Sequence, residues 1–398
     1  METLEDEQST ITDDRSKNSF PEELIEDILS RLPVKSILRF KSVSKPWLSL
    51  ISAPSFHNLH STVAPRTTAF FFTARDLSTG TRYFFSGAND GGSVANLMKL
   101  DNTVLEAHYH AEHLNGLVCF TSHTSRFGKI YAFLFNPSTH KFFKLPDPPV
   151  SLPNYTAEEK DTCYLFGFDE LTNEHKVLYI TVQLTTIEIV IFSFSNYSWR
   201  KINVNVPVGV AVWRWWFGTK KSVCVNSTVH LLLRNPLQIL AFDLTTETFS
   251  IFNMHPEAAP ETISNTICPF AQFVKISGLL GVACYDPSIV NRRNKMDIWM
   301  LQDYQNRVWV RETISFASKS QIPYGARGPY PFDSITMDEI IFSPRVLSEN
   351  LISVSIYNMK NRCFKSIELT LGHRFLSPKS VRVEEIKCYV ESLIPLQN

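Results

Sequence analysis

The chain carries no excess of charge: 39 Lys and Arg balance 39 Asp and Glu over 398 residues. Its densest basic stretch is short, Asn291-Arg292-Arg293-Asn294-Lys295. A phosphate backbone or an anionic membrane surface calls for a broader cationic footprint, so neither nucleic acid nor membrane is expected as a partner. No apolar run has the length of a bilayer span. The seven cysteines, Cys119, Cys163, Cys224, Cys268, Cys284, Cys363 and Cys388, are scattered, odd in number and without a CxxC pair. That usage fits thiols acting as small core residues in a reducing compartment, cytoplasmic and/or nuclear. GxSxG elbows, HExxH helices and phosphate-cradling glycine loops are missing, and nothing pairs carboxylates for acid–base work. No enzyme activity and no cofactor are expected. The first residues, METLEDEQSTITDDRSKNS, lack the apolar core of a signal peptide and predict a disordered tail over 1–18. The Asn-x-Ser/Thr sequons at Asn154, Asn196 and Asn226 therefore read as chance matches.

What is present starts at residues 20–51, FPEELIEDILSRLPVKSILRFKSVSKPWLSLI. Leu24, Ile25, Ile28, Leu29 and Leu32 recur at helical spacing, followed by Val34, Ile37, Leu38, Phe40 and Val43, then Trp47, Leu50 and Ile51. Ser19 and Glu22 have capping-box spacing, and Glu22, Glu23, Glu26 and Asp27 favour the positive helix end. Pro33 breaks the first helix and opens a second. Ser44 caps a third, with Pro46 in its first turn, ending near Ala53-Pro54. A unit below ~40 residues cannot hide so many large side chains, so some must bury against a partner or the rest of the chain.

This segment resembles the F-box, a three-helix motif that docks on a Skp-type adaptor. The matching residues are Pro21, Leu24, Ile28, Leu29, Leu32, Pro33, Val34, Lys35, Leu38, Phe40, Val43, Lys45, Trp47 and Ile51. LPVKSILRF followed by SVSKPW is similar to the plant branch. Phe20 stands where Leu is usual, Ser44 where Cys is frequent and Pro46 where Ser is usual. The resemblance implies that Pro21, Leu24, Ile28, Leu29, Leu32, Pro33, Val34, Leu38, Val43 and Trp47 bind the adaptor. Through it the chain would join a cullin and a RING subunit in a ubiquitin ligase, with helix-in-groove recognition as the docking mode.

From about Thr67 the pattern changes to short strands separated by turns. An apolar strand, a polar turn and an aromatic-led strand recur six times: FFFTARDLSTGTRYFF, LFNPSTHKFFKL, FSFSNYSWRKI, AFDLTTETFSIF, WMLQDYQNRVWVRET and SIYNMKNRCFKSIEL. Measured between Phe72, Phe135, Phe192, Phe242, Leu301 and Tyr357, the steps are 63, 57, 50, 59 and 56 residues. Propeller blades repeat at ~40–50 residues, and the 29 phenylalanines suit the filling between blades. A second recurring piece, HLNGLVCF, VCVNSTVHLLL and ISGLLGVACYD, reads as an inner blade strand. The final strand, VRVEEIKCYVESLIPL, is expected to pair with the first strands and close the ring. The expected architecture is α+β and multidomain: an F-box over 19–60, then an all-β propeller-like domain over 61–398 with about six blades. A β-sandwich is the alternative.

The second region also resembles the plant F-box-associated domain, through NGLVCF, FNPSTHKFFKLP, GFDELTNEHKVL, FSFSNYSWRKI, VNSTVHLLL, FDLTTETFSIF, MDIWML and YVESLIPL. Ser227 replaces a usual Gly and Leu231 a usual Trp. The resemblance implies recruitment of a target protein without naming it. Two segments are candidate contact surfaces. AVWRWWFG supplies Trp213, Arg214 and Trp216, types enriched at binding hot spots, although alternation also suits blade filling. IPYGARGPYPF supplies Tyr324, Arg327 and Tyr330 on a long shaped connection. His108, His110 and His113, with Glu106 and Glu112, make a metal site conceivable, but the set lacks a zinc framework and reads as a solvated loop. Two other functions stay open: an F-box protein acting outside a ligase, and a carbohydrate-binding propeller.

Overall fold

The computed structural model describes residues 20–64, 68–100, 109–122, 131–149, 160–183, 186–204, 222–234, 237–254, 271–285, 295–316, 331–336, 338–342, 350–372, 375 and 381–396. The chain divides into two compact units, one ending at Pro65 and one beginning at Arg66. The tail expected over 1–18 lies outside the described residues.

Among the described residues the first unit holds four helices: α1 (Glu22–Ser30), α2 (Val34–Phe40), α3 (Lys45–Ser52) and α4 (Pro54–Val63). Pro21 and Pro33 stand at the N-caps of α1 and α2 without a side-chain cap, so the fixed proline φ starts both helices. Ser19, expected to cap α1, is outside the described residues. Ser44 caps α3 as expected: its Oγ accepts from the Trp47 N–H at 3.3 Å. The fourth helix has no counterpart in the three-helix reading. It inserts Phe56 and His60, both buried, and packs on α1 and α3. His60 Nε2 donates to the Leu32 carbonyl at 3.0 Å and His57 Nε2 to the Ile51 carbonyl at 2.9 Å. These bonds tie α4 to the link between α1 and α2 and to the last turn of α3.

The second unit holds 24 strands among the described residues. They are β1 (Thr68–Asp76), β2 (Arg82–Ala88) and β3 (Gly92–Leu100), then β4 (Tyr109–Leu114), β5 (Leu117–Ser122), β6 (Ala132–Asn136) and β7 (Lys141–Lys144). Next come β8 (Lys160–Asp169), β9 (Glu174–Gln183), β10 (Thr186–Ser193) and β11 (Ser198–Ile202), and β12 (Val223–Val225), β13 (Thr228–Arg234), β14 (Leu237–Asp243) and β15 (Thr248–Asn253). The last are β16 (Gln272–Ile276), β17 (Leu279–Cys284), β18 (Lys295–Asp303) and β19 (Val308–Ser315), β20 (Pro331–Thr336), β21 (Glu339–Phe342), β22 (Leu351–Asn358) and β23 (Cys363–Leu371), and β24 (Val381–Val390). Four groups, β4–β7, β8–β11, β12–β15 and β16–β19, are separate four-stranded antiparallel sheets. The other eight strands form one sheet in the order β20-β21-β22-β23-β3-β2-β1-β24. As hydrogen-bonded sheets the count is thus four of four strands and one of eight, not six equal blades. The cause is local: Gly92, Ser93 and Val94 of β3 pair in parallel with Leu369, Thr370 and Leu371 of β23, joining two four-stranded halves.

The leading strands β4, β8, β12, β16 and β20 neighbour one another in that order, and β24 sits between β20 and β4. This is a propeller-like ring, and β24 closes it. All nine residues of β1 pair with β24, from Thr68 opposite Val390 to Asp76 opposite Val381. The chain then crosses the turns of β4–β7: Asn136 Nδ2 donates to the Ser392 and Ile394 carbonyls at 3.0 and 2.9 Å. Apolar fill between the sheets makes a closed circuit. Phe71, Phe84, Phe120 and Phe135 fill one junction, and Phe72, Phe85, Val354 and Ile386 fill the joint of the eight-stranded sheet.

Turn chemistry explains where the strands stop. In four third-to-fourth-strand turns an Asx residue leads: Asn136, Asp243, Asp303 and Asn358. Each accepts backbone N–H bonds from the next residues, as Asp303 Oδ1 does from Gln305 and Asn306 at 2.9 Å. Four residues on, His140, Glu247, Arg307 and Arg362 take positive φ. Asn115-Gly116, Asn226-Ser227 and Ser277-Gly278 are two-residue turns with φ positive at both positions. They correct the sequence reading of NGLVCF and its relatives as inner strands. The turn places Leu117–Ser122 second in its sheet, and β4 before it is the innermost strand.

Ser227 sits at φ +57, where glycine is the easy residue, and its Oγ accepts from the Glu170 N–H at 2.8 Å. An inter-sheet hydrogen bond thus accompanies the departure from Gly. Gly116 has no such latitude: a Cβ there would lie 2.1 Å from the Ser392 Cβ and 3.3 Å from the Val390 carbonyl oxygen. We expect Gly116→Ala to destabilise the β unit by more than about 2 kcal/mol, measured by urea unfolding. Gly278→Ala, where a Cβ meets nothing within 4 Å, should cost only the left-handed backbone term of about 1 kcal/mol.

Candidate functional site

The helical unit keeps little of its apolar surface inside. Leu29, Val34, Ile37, Ile51 and Phe56 are buried, whereas Phe20 (73 % exposed), Leu24 (50 %), Ile28 (54 %), Val43 (59 %) and Leu48 (46 %) are not. Helical period explains the split on α1. Leu24 and Ile28, four residues apart, share a ridge, and Leu29, one position round, turns inward. Phe40 and Trp47 meet edge to face at 5.4 Å, bracing the link between α2 and α3. Glu22, Glu23 and Asp27 stand exposed on α1. Asp27 bonds Arg31 at 2.8 Å, and that bond holds the Asp27 carboxyl below its usual range. An exposed i,i+4 pair adds little stability.

The ten residues marked for partner binding sort into three groups. Pro21, Leu24, Ile28, Pro33 and Val43 are exposed; Leu32, Leu38 and Trp47 are half-buried; Leu29 and Val34 are interior. Leu29 and Val34 therefore pack beneath the exposed apolar residues rather than among them. Phe20 and Leu48 are exposed large apolar residues that the sequence reading did not select. Leu48 lies four positions after Ser44, a spacing that placed it on α3 without saying which way it faced.

On the β unit, Trp213, Arg214, Trp216, Tyr324, Arg327 and Tyr330 lie outside the described residues, as do Glu106 and His108. Glu112 and His113 sit at the end of β4. Glu112 is buried and its Oε2 accepts from Ser222 Oγ at 2.9 Å. The His113 ring meets Tyr389 edge-on at 5.8 Å. Burial is the main reason its imidazole is pushed down to about 3. Among the described residues no group of three His, Cys, Asp or Glu side chains is arranged to hold a metal ion. The buried Cys119 and Cys224 thiols are pushed upward by desolvation, Cys224 to about 12, so they are poor nucleophiles. No helix among the described residues is long and apolar enough to cross a membrane.

A small helical unit with an uncovered apolar ridge, followed by a ring of β-sheets, defines a two-part recognition protein. Comparison with known families agrees. Residues 18–59 match the F-box domain, and residues 68–386 match the F-box associated beta propeller domain. The chain belongs to the F-box proteins carrying that propeller. An F-box protein of Arabidopsis thaliana is 25 % identical over 400 residues, covering 94 % of this chain and 86 % of its own length. An F-box/kelch-repeat protein of the same plant is 26 % identical over 329 residues, covering 74 % and 69 %. Among solved structures, the β-propeller domain of the Trilobed protease from Pyrococcus furiosus matches with a TM-score of 0.32 and 11 % identity, covering 66 % of this chain and 71 % of that one. A Hadza microbial sialidase matches at 0.39 and 11 %, covering 78 % and 73 %. Family membership supports a substrate-receptor role and adaptor binding in general.

The interior and surface members of the helical set should separate by experiment. Leu29→Ala should cost about 2–5 kcal/mol of helical-unit stability, read from thermal loss of helical circular dichroism. Ile28→Ala, at an exposed position, should stay within about 0.5 kcal/mol of the parent.

Proposed function

We propose that this chain is the substrate-recognition subunit of a Skp–cullin–F-box ubiquitin ligase. The helical unit docks on a Skp-type adaptor, which links it to the cullin and RING subunits, and the β unit recruits a target protein. The observation that carries this reading is the uncovered apolar set Phe20, Leu24, Ile28, Val43 and Leu48 on a unit belonging to the F-box family. Leu24 and Ile28 have the i,i+4 spacing with which a helix enters a partner's groove. Pro21 and Pro33 fix the starts of α1 and α2, and Leu32, Leu38 and Trp47 shape the margins of the face. The chain itself performs no bond chemistry in this scheme. It raises the effective concentration of the target beside the ubiquitin-carrying enzyme.

The recognition candidates fall on connections of one kind. Residues 205–221 join β11 to β12 and residues 317–330 join β19 to β20, each running from a fourth strand to the next leading strand. Those strand ends lie opposite the short Asx turns, so both connections attach at the same end of the ring. We assign target contact to that end, with Trp213, Arg214, Trp216, Tyr324, Arg327 and Tyr330 as the residues to test. The protein would work in the cytoplasm, the nucleus or both.

Binding of the full chain to a Skp-type adaptor tests the reading. Leu24→Asp with Ile28→Asp should weaken it at least about tenfold, equivalent to about 1.4 kcal/mol, with helical content kept. Undiminished adaptor binding by that variant would sink the docking assignment. Adaptor complexes that never contain cullin would leave the docking and remove the ligase.

A further inference from the structure

The HYHAEH stretch has no part in docking, yet its Glu112 joins a polar network on the ring's inner strands. Its carboxyl takes the Ser222 hydroxyl hydrogen bond at 2.9 Å and a second bond from the Cys224 backbone. Ser222 leads into β12 and Cys224 lies within it. The ring neighbours of β4 are β24 and β8, and β8 stands between β4 and β12. The bonds from Glu112 therefore pass over one sheet to reach the next. From β24, Lys387 and Glu385 face the same carboxyl, and from β5 its cross-strand partner is Cys119. Lys387 Nζ donates in turn to the Phe332 carbonyl at 2.9 Å, and the Cys388 N–H donates to Asp333 Oδ2 at 2.9 Å. Lys275 of β16 acts on Asp333 and on His113. Four leading strands, β4, β12, β16 and β20, together with the closing strand β24, thus contribute to one polar network near the axis.

We propose that Glu112 is an axial pin of the propeller: one carboxyl that ties non-adjacent sheets together and whose protonation state sets how firmly they are held. Burial of the Glu112 carboxyl is the main reason it is pushed up to about 7. Ser222, Lys387 and the Cys224 amide pull it down, and Glu385 adds to the upward push. A carboxyl whose folded value lies above its unfolded one holds a proton that the unfolded chain has released. Its stabilising contribution is full below the ordinary carboxylate range and is lost as pH rises through about 7. Burial also holds His113 near 3 and His175 and His230 near 4. Their sign is opposite: each adds stability above the ordinary imidazole value and loses it as pH falls. The wild-type curve is therefore a sum, and a variant difference isolates Glu112.

The test is calorimetry of the full chain at about pH 6 and about pH 8, comparing wild type, Glu112→Gln and Ser222→Ala. Glu112→Gln keeps the shape and removes the titration. The midpoint of its β-unit transition, relative to wild type, should rise by roughly 2–4 °C between the two pH values. An offset from wild type that is equal at both pH values overturns the proposal. If the Gln variant does not fold, Ser222→Ala decides. Without a donor to the charged form, its midpoint should fall further than wild type toward alkaline pH, and a parallel fall overturns the pin.

Discussion

The β unit depends on one non-local event, the arrival of β24 beside β1. Until residues 381–390 arrive, the sheet of residues 68–100 lacks its innermost strand. Phe70 and Phe72, buried in the finished ring, belong to the strand that this pairing completes. An open β1 would present a row of unpaired backbone groups flanked by phenylalanine, the composition of an aggregation-prone edge. Contacts of such sequence separation also slow folding, because chain closure is costly before any contact compensates it. The structure reinforces the joint. Tyr389 of β24 packs edge-on to Phe71 at 6.3 Å, and Asn136 then holds the chain beyond β24 through two carbonyls. Gly116 is bound to the same constraint, since the Ser392 side chain and the Val390 carbonyl oxygen lie where its side chain would be.

How far the sequence revealed this follows from which interactions are local. The Asx turns were legible because Asn136, Asp243, Asp303 and Asn358 bond amides two and three residues ahead, and a short window contains the whole device. Ring closure by the last strand was also legible, because a propeller's ends must meet. The inner-strand assignment failed for a physical reason. NGLVCF, VNSTVHLLL and SGLLGVAC are apolar and follow a turn, but rank within a sheet is set by which strand borders the axis, and that is not a local property. The leading strand β4 carries Glu112 and His113, so its polarity disguised it as a solvated loop. The pairing of β3 with β23 was invisible for a similar reason: three residue pairs decide it, and Gly92 brings no distinctive side chain.

The helical unit shows a different limit. Its apolar spacing located the helices, and Ser44 located a cap, but spacing alone could not divide Leu24 and Ile28 from Leu29 and Val34. That division depends on α4, which follows the three-helix motif. Phe56 fills the interior and His60 satisfies the Leu32 carbonyl, so the inward face of α1 is already covered from within. What stays uncovered is set by subtraction. The apolar side chains that α2, α3 and α4 do not reach are the ones a partner can use.

The two units place their polar and apolar groups in opposite ways, and the contrast follows from their geometry. A bundle of four short helices has too little interior for its large side chains, so its excess is apolar and faces outward. A ring of sheets has ample interior between its faces, and phenylalanine fills it. Its difficulty lies at the axis, where the free edges of the leading strands converge with backbone groups that apolar side chains cannot satisfy. The Cys224 and Cys388 amides find carboxyl oxygens of Glu112 and Asp333, and the Phe332 carbonyl finds Lys387. Polar and charged side chains near the axis thus answer unmet backbone hydrogen bonding, as exposed apolar surface on the helices answers want of volume. Each unit concentrates the chemistry its own architecture cannot absorb, and in the helical unit that surplus is the surface offered to a partner.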